Sequence, residues 1–186
     1  MTVAPSAISA SNGTVTTAFN TAATGSVATQ VTDPNTGATE SFTNSAGTNA
    51  AIATAHGSVT VAANGTYTYT PTTGFTGSDS FVVNVTDSYG KTTTLTETVT
   101  VQPSAISAAN GSTTTPFNTA ATGSVATQVT DPNTGATESF TNSAGTNAAI
   151  ATAHGSVTVN ANGSYTYTPT AGFTGSDSFV VNVTDS

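Results

Sequence analysis

Few groups in this sequence could hold a cation, because only nine carboxylates occur among its 186 residues. The segment Asp33-Pro-Asn-Thr-Gly37 has the opening spacing of a calcium-binding loop, and it recurs with Asp131 as its first residue. Neither copy has a third acidic position or a closing glutamate at the required distance. Calcium ligation is therefore one interpretation of Asp33 and Asp131, and an aspartate that caps a turn is the other.

Groups for covalent or acid–base catalysis are also scarce. Cysteine is absent, which excludes thiolate nucleophiles and cysteine-based metal sites, and each half of the chain has a single histidine. His56, Asp79 and either Ser78 or Ser80 would supply the three residue types of a hydrolase triad, but the sequence lacks a Gly-x-Ser-x-Gly nucleophile elbow. We therefore predict that the chain is not an enzyme.

The charge balance excludes two classes of partner. Lys91 is the only Lys or Arg, and the formal net charge is -8. Without a basic patch the chain cannot release counterions from nucleic acid, and it cannot attach to an anionic membrane through a polybasic segment. The sequence also has no run of 18 apolar residues. We expect no nucleic-acid partner and no membrane insertion.

An internal repeat organises the whole chain. Residues 5–88 align with residues 103–186 at an offset of 98, and only seven of these 84 positions differ. A unit of this length matches one complete sandwich domain, so we predict domains at 1–102 and 103–186. The second domain lacks an equivalent of residues 89–102. We expect an unpaired sheet edge there. One interpretation is that the folding frame differs from the frame drawn at Pro5, and the other is that a strand from a neighbouring chain fills the edge by β-augmentation.

The elements that position these residues are predicted to be short β-strands. Val, Phe and Tyr alternate with polar residues on both sides of Asn64-Gly65, which indicates a tight hairpin. Turn residues recur about every 8–12 positions, as in Ig-like domains. Further strands are expected at Thr14–Phe19, Ser26–Thr32, Ala38–Thr43 and Ser80–Thr86. The predicted fold class is all-β, with tandem antiparallel Ig-like Greek-key sandwich domains that form an extended rod.

A last strand is predicted within Tyr89–Gln102, where Leu95, Val99 and Val101 share one face. Glu97 has the same parity as these aliphatic residues, which is unusual for a charged side chain. An ion ligand is one explanation, and a position at the strand edge near solvent is the one we favour from sequence.

The second half of each unit carries a specific combination of motifs. Residues 55–87 contain His-Gly, Asn-Gly-x-Tyr-x-Tyr-x-Pro, Gly-Phe-x-Gly-x-Asp-x-Phe and Val-x-Asp, and the combination recurs at 153–185. This segment resembles the bacterial tandem Ig-like or cadherin-like repeats, of the VCBS and tandem-95 type, found in giant biofilm-associated and RTX adhesins. Residues 5–54 match such repeats only loosely.

The resemblance implies an extracellular module on the bacterial cell surface. Many copies of such a module form a stalk that projects an adhesive tip for cell adhesion and biofilm formation, and the partners of each copy are the neighbouring repeats of the same chain. The rival interpretation is a binding module that itself contacts glycan, ice or a sister repeat in a homophilic contact. A strand-donating fibre subunit is a further alternative.

The resemblance also implies Ca²⁺, which such repeats often bind near domain junctions through Asp and Asn side chains and backbone carbonyls. Asp87 and Asp185 end a predicted strand, and Asp87 is close in sequence to the junction. A junctional ion is one interpretation of these two residues, and a solvated loop carboxylate is the other. Asp87, Asp185, Asp33 and Asp131 are thus the candidate metal ligands.

Overall fold

The computed structural model describes residues 4–186. The chain divides into two compact units, Met1–Ser104 and Ala105–Ser186. Each unit consists of short strands and one turn of 3-10 helix, and no α-helix occurs in the described part of the chain. The all-β fold class predicted from the alternating sequence pattern is confirmed.

The first unit has ten strands among its described residues. They are β1 (Ser9–Ala10), β2 (Gly13–Thr17), β3 (Ala23–Ser26), β4 (Val31–Thr32), β5 (Glu40–Thr43), β6 (Ala51–Ala53), β7 (Gly57–Val61), β8 (Thr66–Pro71), β9 (Gly77–Asp87) and β10 (Thr92–Val101).

Two four-stranded sheets and one two-stranded pair make up the first unit. One sheet has the strand order β2-β10-β9-β5, the other has the order β3-β8-β7-β6, and β1 pairs with β4. In the first sheet β10 runs antiparallel to β9 but parallel to β2, where Glu97 is opposite Gly13. We predicted an antiparallel sandwich, and the parallel pairing of β2 with β10 departs from that prediction. Turn signals identify hairpins between successive strands, but they carry no information on how strands 80 residues apart will pair.

The core of the first unit lies between the two four-stranded sheets. Successive side chains of a strand point to opposite faces, so alternate residues of β9 and β10 meet alternate residues of β7 and β8. Val83, Val85 and Val99 of one sheet are fully buried, as are Val61 and Tyr69 of the other. The predicted face of the β9 strand is thus confirmed.

The β7–β8 hairpin has the geometry predicted from Asn64-Gly65. Val59 pairs with Tyr69, and Val61 pairs with Tyr67. Gly65 has a φ of +83°, a backbone conformation that residues with a Cβ atom rarely adopt. The turn therefore sets the register that points both tyrosines into the core.

The strand predicted at Ser26–Thr32 is wrong. Strand β3 ends at Ser26, a 3-10 turn occupies Ala28–Gln30, and β4 contains only Val31–Thr32. The interruption occurs because Val27 is fully buried and its backbone N–H donates to the Gly65 carbonyl at 2.9 Å. This bond to a distant hairpin is a tertiary contact that alternation in the sequence does not reveal.

The second unit repeats most of these elements at the offset of 98 residues. Its strands are β11 (Ser107–Ala108), β12 (Ala121–Ser124), β13 (Val129–Thr130), β14 (Ser139–Thr141), β15 (Ala149–Ala151), β16 (Gly155–Val159), β17 (Ser164–Pro169) and β18 (Asn182–Thr184). One sheet has the order β12-β17-β16-β15, and two further pairs are β14-β18 and β11-β13.

Two segments that form strands in the first unit do not do so in the second. Residues 111–115 are equivalent to β2, residues 175–181 are equivalent to most of β9, and neither segment is paired. In the first unit β10 lies between these two strands. The buried core of the second unit consists of Phe140, Val157, Val159 and Tyr165, with half-buried neighbours.

Candidate cation site and buried polar clusters

The candidate ligands Asp33 and Asp87 of the first unit lie together, joined by the side chain of Asn35. Asn35 Nδ2 donates to Asp33 Oδ1 at 2.7 Å and lies 3.4 Å from Asp87 Oδ2. The same nitrogen donates to the Ser6 carbonyl oxygen at 2.9 Å, while the Ser6 N–H donates to Asn35 Oδ1 at 2.7 Å. Three oxygens thus converge on one amide nitrogen, an arrangement that also suits a cation.

Asp33 caps the turn that follows it, which was one of the two interpretations of its sequence. The backbone N–H of Asn35 donates to Asp33 Oδ1 at 2.7 Å. The second oxygen, Asp33 Oδ2, is buried and accepts no hydrogen bond. A buried acceptor without a partner is costly, because it loses its bonds to water without replacement. This oxygen is therefore available to a ligand.

Asp87 ends β9 and is only 4% exposed, so the solvated carboxylate considered from sequence is wrong for this residue. Its Oδ1 accepts hydrogen bonds from the backbone N–H groups of Tyr89 at 2.9 Å and Lys91 at 2.7 Å. These bonds hold the turn between β9 and β10. They leave Oδ2 directed at Asn35, on the side where Asp33 lies.

The second unit builds the same arrangement from Asp131, Asn133 and Asp185. Asn133 Nδ2 donates to Asp131 Oδ1 at 2.8 Å and to Asp185 Oδ2 at 3.2 Å. Asp131 Oδ2 is again buried without a hydrogen-bond partner. The feature is therefore a property of the repeat and not of one local environment.

Asp79, at the start of β9, is the centre of a second buried cluster in the first unit. Its Oδ2 accepts hydrogen bonds from Thr54 Oγ1 at 2.6 Å, Tyr69 Oη at 2.9 Å and the His56 N–H at 2.9 Å. Its Oδ1 accepts from the N–H of Ser80 at 2.8 Å. Burial alone raises the pKa of Asp79, but these four bonds outweigh it and hold the pKa below the ordinary value of 3.8.

The imidazole of His56 does not take part in this cluster. Only the backbone N–H of His56 contacts Asp79, whereas the ring stacks on Phe75 with the centroids 4.2 Å apart and the planes 4° from parallel. His154 stacks on Phe173 in the same way. A base oriented by Asp79 is thus not formed, and the histidine packs as an aromatic ring.

Glu97 belongs to a third cluster, and the position near solvent favoured from sequence is wrong. The side chain is 2% exposed. Glu97 Oε1 accepts from Tyr67 Oη at 2.9 Å, and Oε2 accepts from Gln30 Nε2 at 3.1 Å. Gly13 of the neighbouring strand provides the room, since a Cβ atom there would collide with Glu97 Oε2. The parity shared with Leu95 and Val99 was the sequence signal for this core position, although the position near solvent was favoured over it.

The sequence comparison agrees with the repeat and with the sandwich fold. A family model described as bacterial cadherin-like domain matches residues 3–105 and again residues 102–186. The chain belongs to the bacterial cadherin-like domain family. The resemblance noted in residues 55–87 is thereby confirmed, and the match also includes the N-terminal half of each cadherin-like domain. Such domains are extracellular adhesion-type modules and are typically non-enzymatic. They occur in tandem and can make homophilic contacts.

Solved structures similar to the cadherin-like pair include extracellular domains of two protocadherins. The Protocadherin GammaB4 extracellular domain is 16% identical, with 97% of this chain and 32% of that chain covered and a TM-score of 0.49. Protocadherin Gamma B2 extracellular cadherin domains 3-6 are 17% identical, with 97% and 47% covered and a TM-score of 0.46. The chain thus spans about a third of the GammaB4 chain. No curated protein matches the sequence.

Cadherin domains commonly bind calcium, and the residues of this chain can be tested for their fit. Over residues 4–186, no three His, Asp or Glu side chains lie close enough together to hold a metal ion. Ca²⁺ takes six to eight oxygens, which include carboxylates, amides and backbone carbonyls. Asp33, Asp87 and Ser6 supply carboxylates and a backbone carbonyl, with one buried carboxylate oxygen unused, whereas Asn35 directs its amide nitrogen at them and its Oδ1 accepts from the Ser6 N–H. The set fits a weak calcium site with two carboxylates.

The described part of the chain offers no helix with the length and apolar composition needed to cross a bilayer.

Proposed function

We propose that the two cadherin-like domains are extender repeats in the stalk of a bacterial cell-surface adhesin, where they hold an adhesive tip away from the cell. The observation that supports this function is the near identity of the two units, which differ at seven of 84 aligned positions. Both units build the hairpin with two inward tyrosines, the pair of aspartates joined by an asparagine and the cluster around Asp79 or Asp177. A spacer needs length and stability, and repeated copies of one sequence provide both.

The surface of the first unit also supports a spacer. The outward positions of β10 are occupied by Thr94, Thr96, Thr98 and Thr100, which are exposed or half-buried. The inward positions hold the aliphatic residues and Glu97. Threonine hydroxyls hydrate well, and a face without aromatic or charged groups offers little for a sugar ring or an ionic ligand to bind.

A binding assay tests this function against the alternative of a binding module. We expect the chain of residues 1–186 to show no saturable binding on a glycan array and no bridging when it is coated on beads mixed with bacterial cells. A bovine serum albumin coating gives the background. Dose-dependent binding to one glycan class, or bead clustering caused by contacts between copies of the chain, would overturn the spacer function.

We further propose that Asp33, Asn35 and Asp87 bind Ca²⁺ with the Ser6 carbonyl, and that Asp131, Asn133 and Asp185 bind a second ion. The support is the convergence of oxygens on Asn35 and the unused buried oxygen in each unit. In an extracellular stalk, ions of this kind would tie the first residues of a unit to the turn after β9.

A thermal melt tests whether these residues bind Ca²⁺. Extracellular calcium modules have dissociation constants of about 0.1–1 mM, so 5 mM CaCl₂ should stabilise each unit by about 1–2 kcal/mol. We expect the midpoint to rise by about 4–8 °C for each kcal/mol of this stabilisation, relative to a sample in EDTA. The double variant Asp33→Asn with Asp131→Asn should lose this rise, whereas Glu40→Gln with Glu138→Gln should keep it. Equal midpoints of the unaltered chain in EDTA and in CaCl₂ would remove these residues as ligands.

A further inference from the structure

We propose that the chain cleaves its own peptide bonds Asp33–Pro34 and Asp131–Pro132, so that each unit is nicked without a protease. These are the only two Asp–Pro bonds in the sequence, and they occur at equivalent places in the repeat. An Asp–Pro bond is prone to such cleavage, because the proline nitrogen belongs to a tertiary amide without an N–H and leaves as a basic secondary amine. The reaction requires neither the adhesin function nor the ion proposed above.

The nucleophile is the side-chain oxygen Asp33 Oδ2. This atom is buried and has no hydrogen-bond partner, and the same holds for Asp131 Oδ2 in the second unit. The other oxygen, Asp33 Oδ1, accepts hydrogen bonds from the N–H and from Nδ2 of Asn35, both at 2.7 Å. A carboxylate oxygen without water or a donor is high in free energy. A bond to carbon relieves this cost, because it neutralises the oxygen.

The leaving group lies on the solvent side of each bond. Pro34 and Pro132 are exposed, whereas Asp33 and Asp131 are half-buried. Solvent can therefore deliver a proton to the proline nitrogen, and water can reach the acyl product, while the attacking oxygen stays inside the unit. The burial of the nucleophile and the exposure of the leaving group are the same in both units, so the arrangement belongs to the repeat.

The reaction consumes one water molecule for each bond that is cut. Asp33 Oδ2 forms a bond to the main-chain carbonyl carbon of Asp33, and the bond from this carbon to the Pro34 nitrogen breaks. The nitrogen keeps the electron pair of the broken bond and takes a proton from solvent. Asp33 is left as a cyclic anhydride, which water hydrolyses to one main-chain and one side-chain carboxylate. The products are a chain that ends at Asp33 and a chain that begins at Pro34.

A cut after Asp33 leaves the first unit assembled. The bond lies in the loop between β4 and β5, and strands before and after this loop pair with each other. β2 pairs with β10 over five residues, and β3 pairs with β8 over four. The nicked unit is therefore one folded particle, in which the residues before Pro34 are held by hydrogen bonds and packing alone.

The test is the fragment pattern of the whole chain after incubation in mildly acidic buffer with EDTA, which keeps cations away from Asp33 Oδ2. Denaturing mass spectrometry should find fragments that end at Asp33 or Asp131 and fragments that begin at Pro34 or Pro132. No cut is expected after the four aspartates that serine follows. We expect the folded chain to be cut at least about tenfold faster than the chain in urea, because unfolding returns water to Oδ2.

The double variant Asp33→Glu with Asp131→Glu is the matched control, because it keeps both carboxylates but requires a larger anhydride ring that forms more slowly. It should be cut at least about tenfold more slowly than the unaltered chain. In water enriched in heavy oxygen, the label should enter either carboxyl group of the new terminal aspartate, because water attacks both carbonyls of an anhydride. Direct hydrolysis would label the main-chain carboxyl alone.

Four results would overturn the proposal. They are the absence of these fragments, equal rates for the folded chain and the chain in urea, equal rates for the glutamate variant and the unaltered chain, and label confined to the main-chain carboxyl. The comparison in urea and the labelling use the unaltered chain, so they decide the matter even where the glutamate variant fails to fold.

Discussion

Replacing Asp79 with alanine is expected to lower the free energy of unfolding of the first unit by about 3–5 kcal/mol. The change leaves the fully buried hydroxyl of Tyr69 and the half-buried hydroxyl of Thr54 without their acceptor, and it also removes the bonds from the N–H groups of His56 and Ser80, which are exposed residues. Each buried donor left unpaired costs about 1–3 kcal/mol. Differential scanning calorimetry should show the transition of the first unit at a midpoint more than 10 °C lower.

The repeat provides the matched control for this change. Asp177 makes the same bonds in the second unit, to Thr152, His154, Tyr167 and Ser178, but it is half-buried. Solvent can replace the lost acceptor there, so Asp177→Ala should shift the midpoint of its unit by less. Equal shifts from the two substitutions would contradict the assignment of the effect to buried unpaired donors.

The same cluster predicts a pH dependence. The pKa of Asp79 is below its ordinary value of 3.8, and hydrogen bonds led by that from Thr152 lower the pKa of Asp177 to about 2. The two carboxylates have a higher pKa in the unfolded chain than in the folded chain, so they are protonated at higher pH when the chain is unfolded. The stability that they contribute is therefore complete above about pH 4 and is lost as the pH falls towards 2. Urea midpoints should therefore decline from pH 4 to pH 2 more steeply in the unaltered chain than in Asp79→Asn with Asp177→Asn.

Replacing Glu97 with alanine is expected to destabilise the first unit by about 3–5 kcal/mol. The substitution opens a cavity in the core, which costs about 2–5 kcal/mol for side chains of this size, and it leaves Tyr67 Oη and Gln30 Nε2 without an acceptor. Urea unfolding followed by tyrosine fluorescence should report the loss. The pKa of Tyr67, which burial and the bond to Glu97 raise above its ordinary value of 10, should fall in the variant.

Two variants separate the buried cluster from a general effect of removing charge. Glu97→Gln preserves the volume and one acceptor oxygen, so its loss should be smaller than that of Glu97→Ala. Glu40→Ala makes the same chemical change on the half-buried edge strand β5 and should alter stability by less than about 1 kcal/mol. A Glu97→Ala variant as stable as Glu40→Ala would contradict a structural role for the buried carboxylate.

Local rules predicted the hairpins of the fold but not its long-range pairing. The turn at Asn64-Gly65 and the faces of β9 and β10 follow from alternation and from the positive φ that glycine tolerates. The parallel pairing of β10 with β2 joins residues more than 80 positions apart. The 3-10 turn at Ala28–Gln30 depends on a bond from Val27 to Gly65. Neither contact produces a periodic pattern in the sequence from which it could be predicted.

The candidate site was predicted in part, because its acids were identified without the residue that joins them. Asp33 and Asp87 were singled out separately, and the structure brings both to the amide of Asn35. Three of the four partners of Asp79 are 10 or more residues away in sequence, so local patterns do not reveal its cluster. Parity placed Glu97 among aliphatic residues, and only the facing Tyr67 and Gln30 explain how the core accepts it.

The parallel pairing of β2 with β10 has a mechanical consequence for the first unit. The two strands are close to the two ends of the unit in sequence, and they run in the same direction over five residue pairs. A pull applied to the ends of the unit therefore loads the hydrogen bonds between β2 and β10 along the strand axes. Such bonds must break together, whereas bonds pulled at one end of a hairpin open one after another. Shear of this kind makes the terminal strands a clamp against tension.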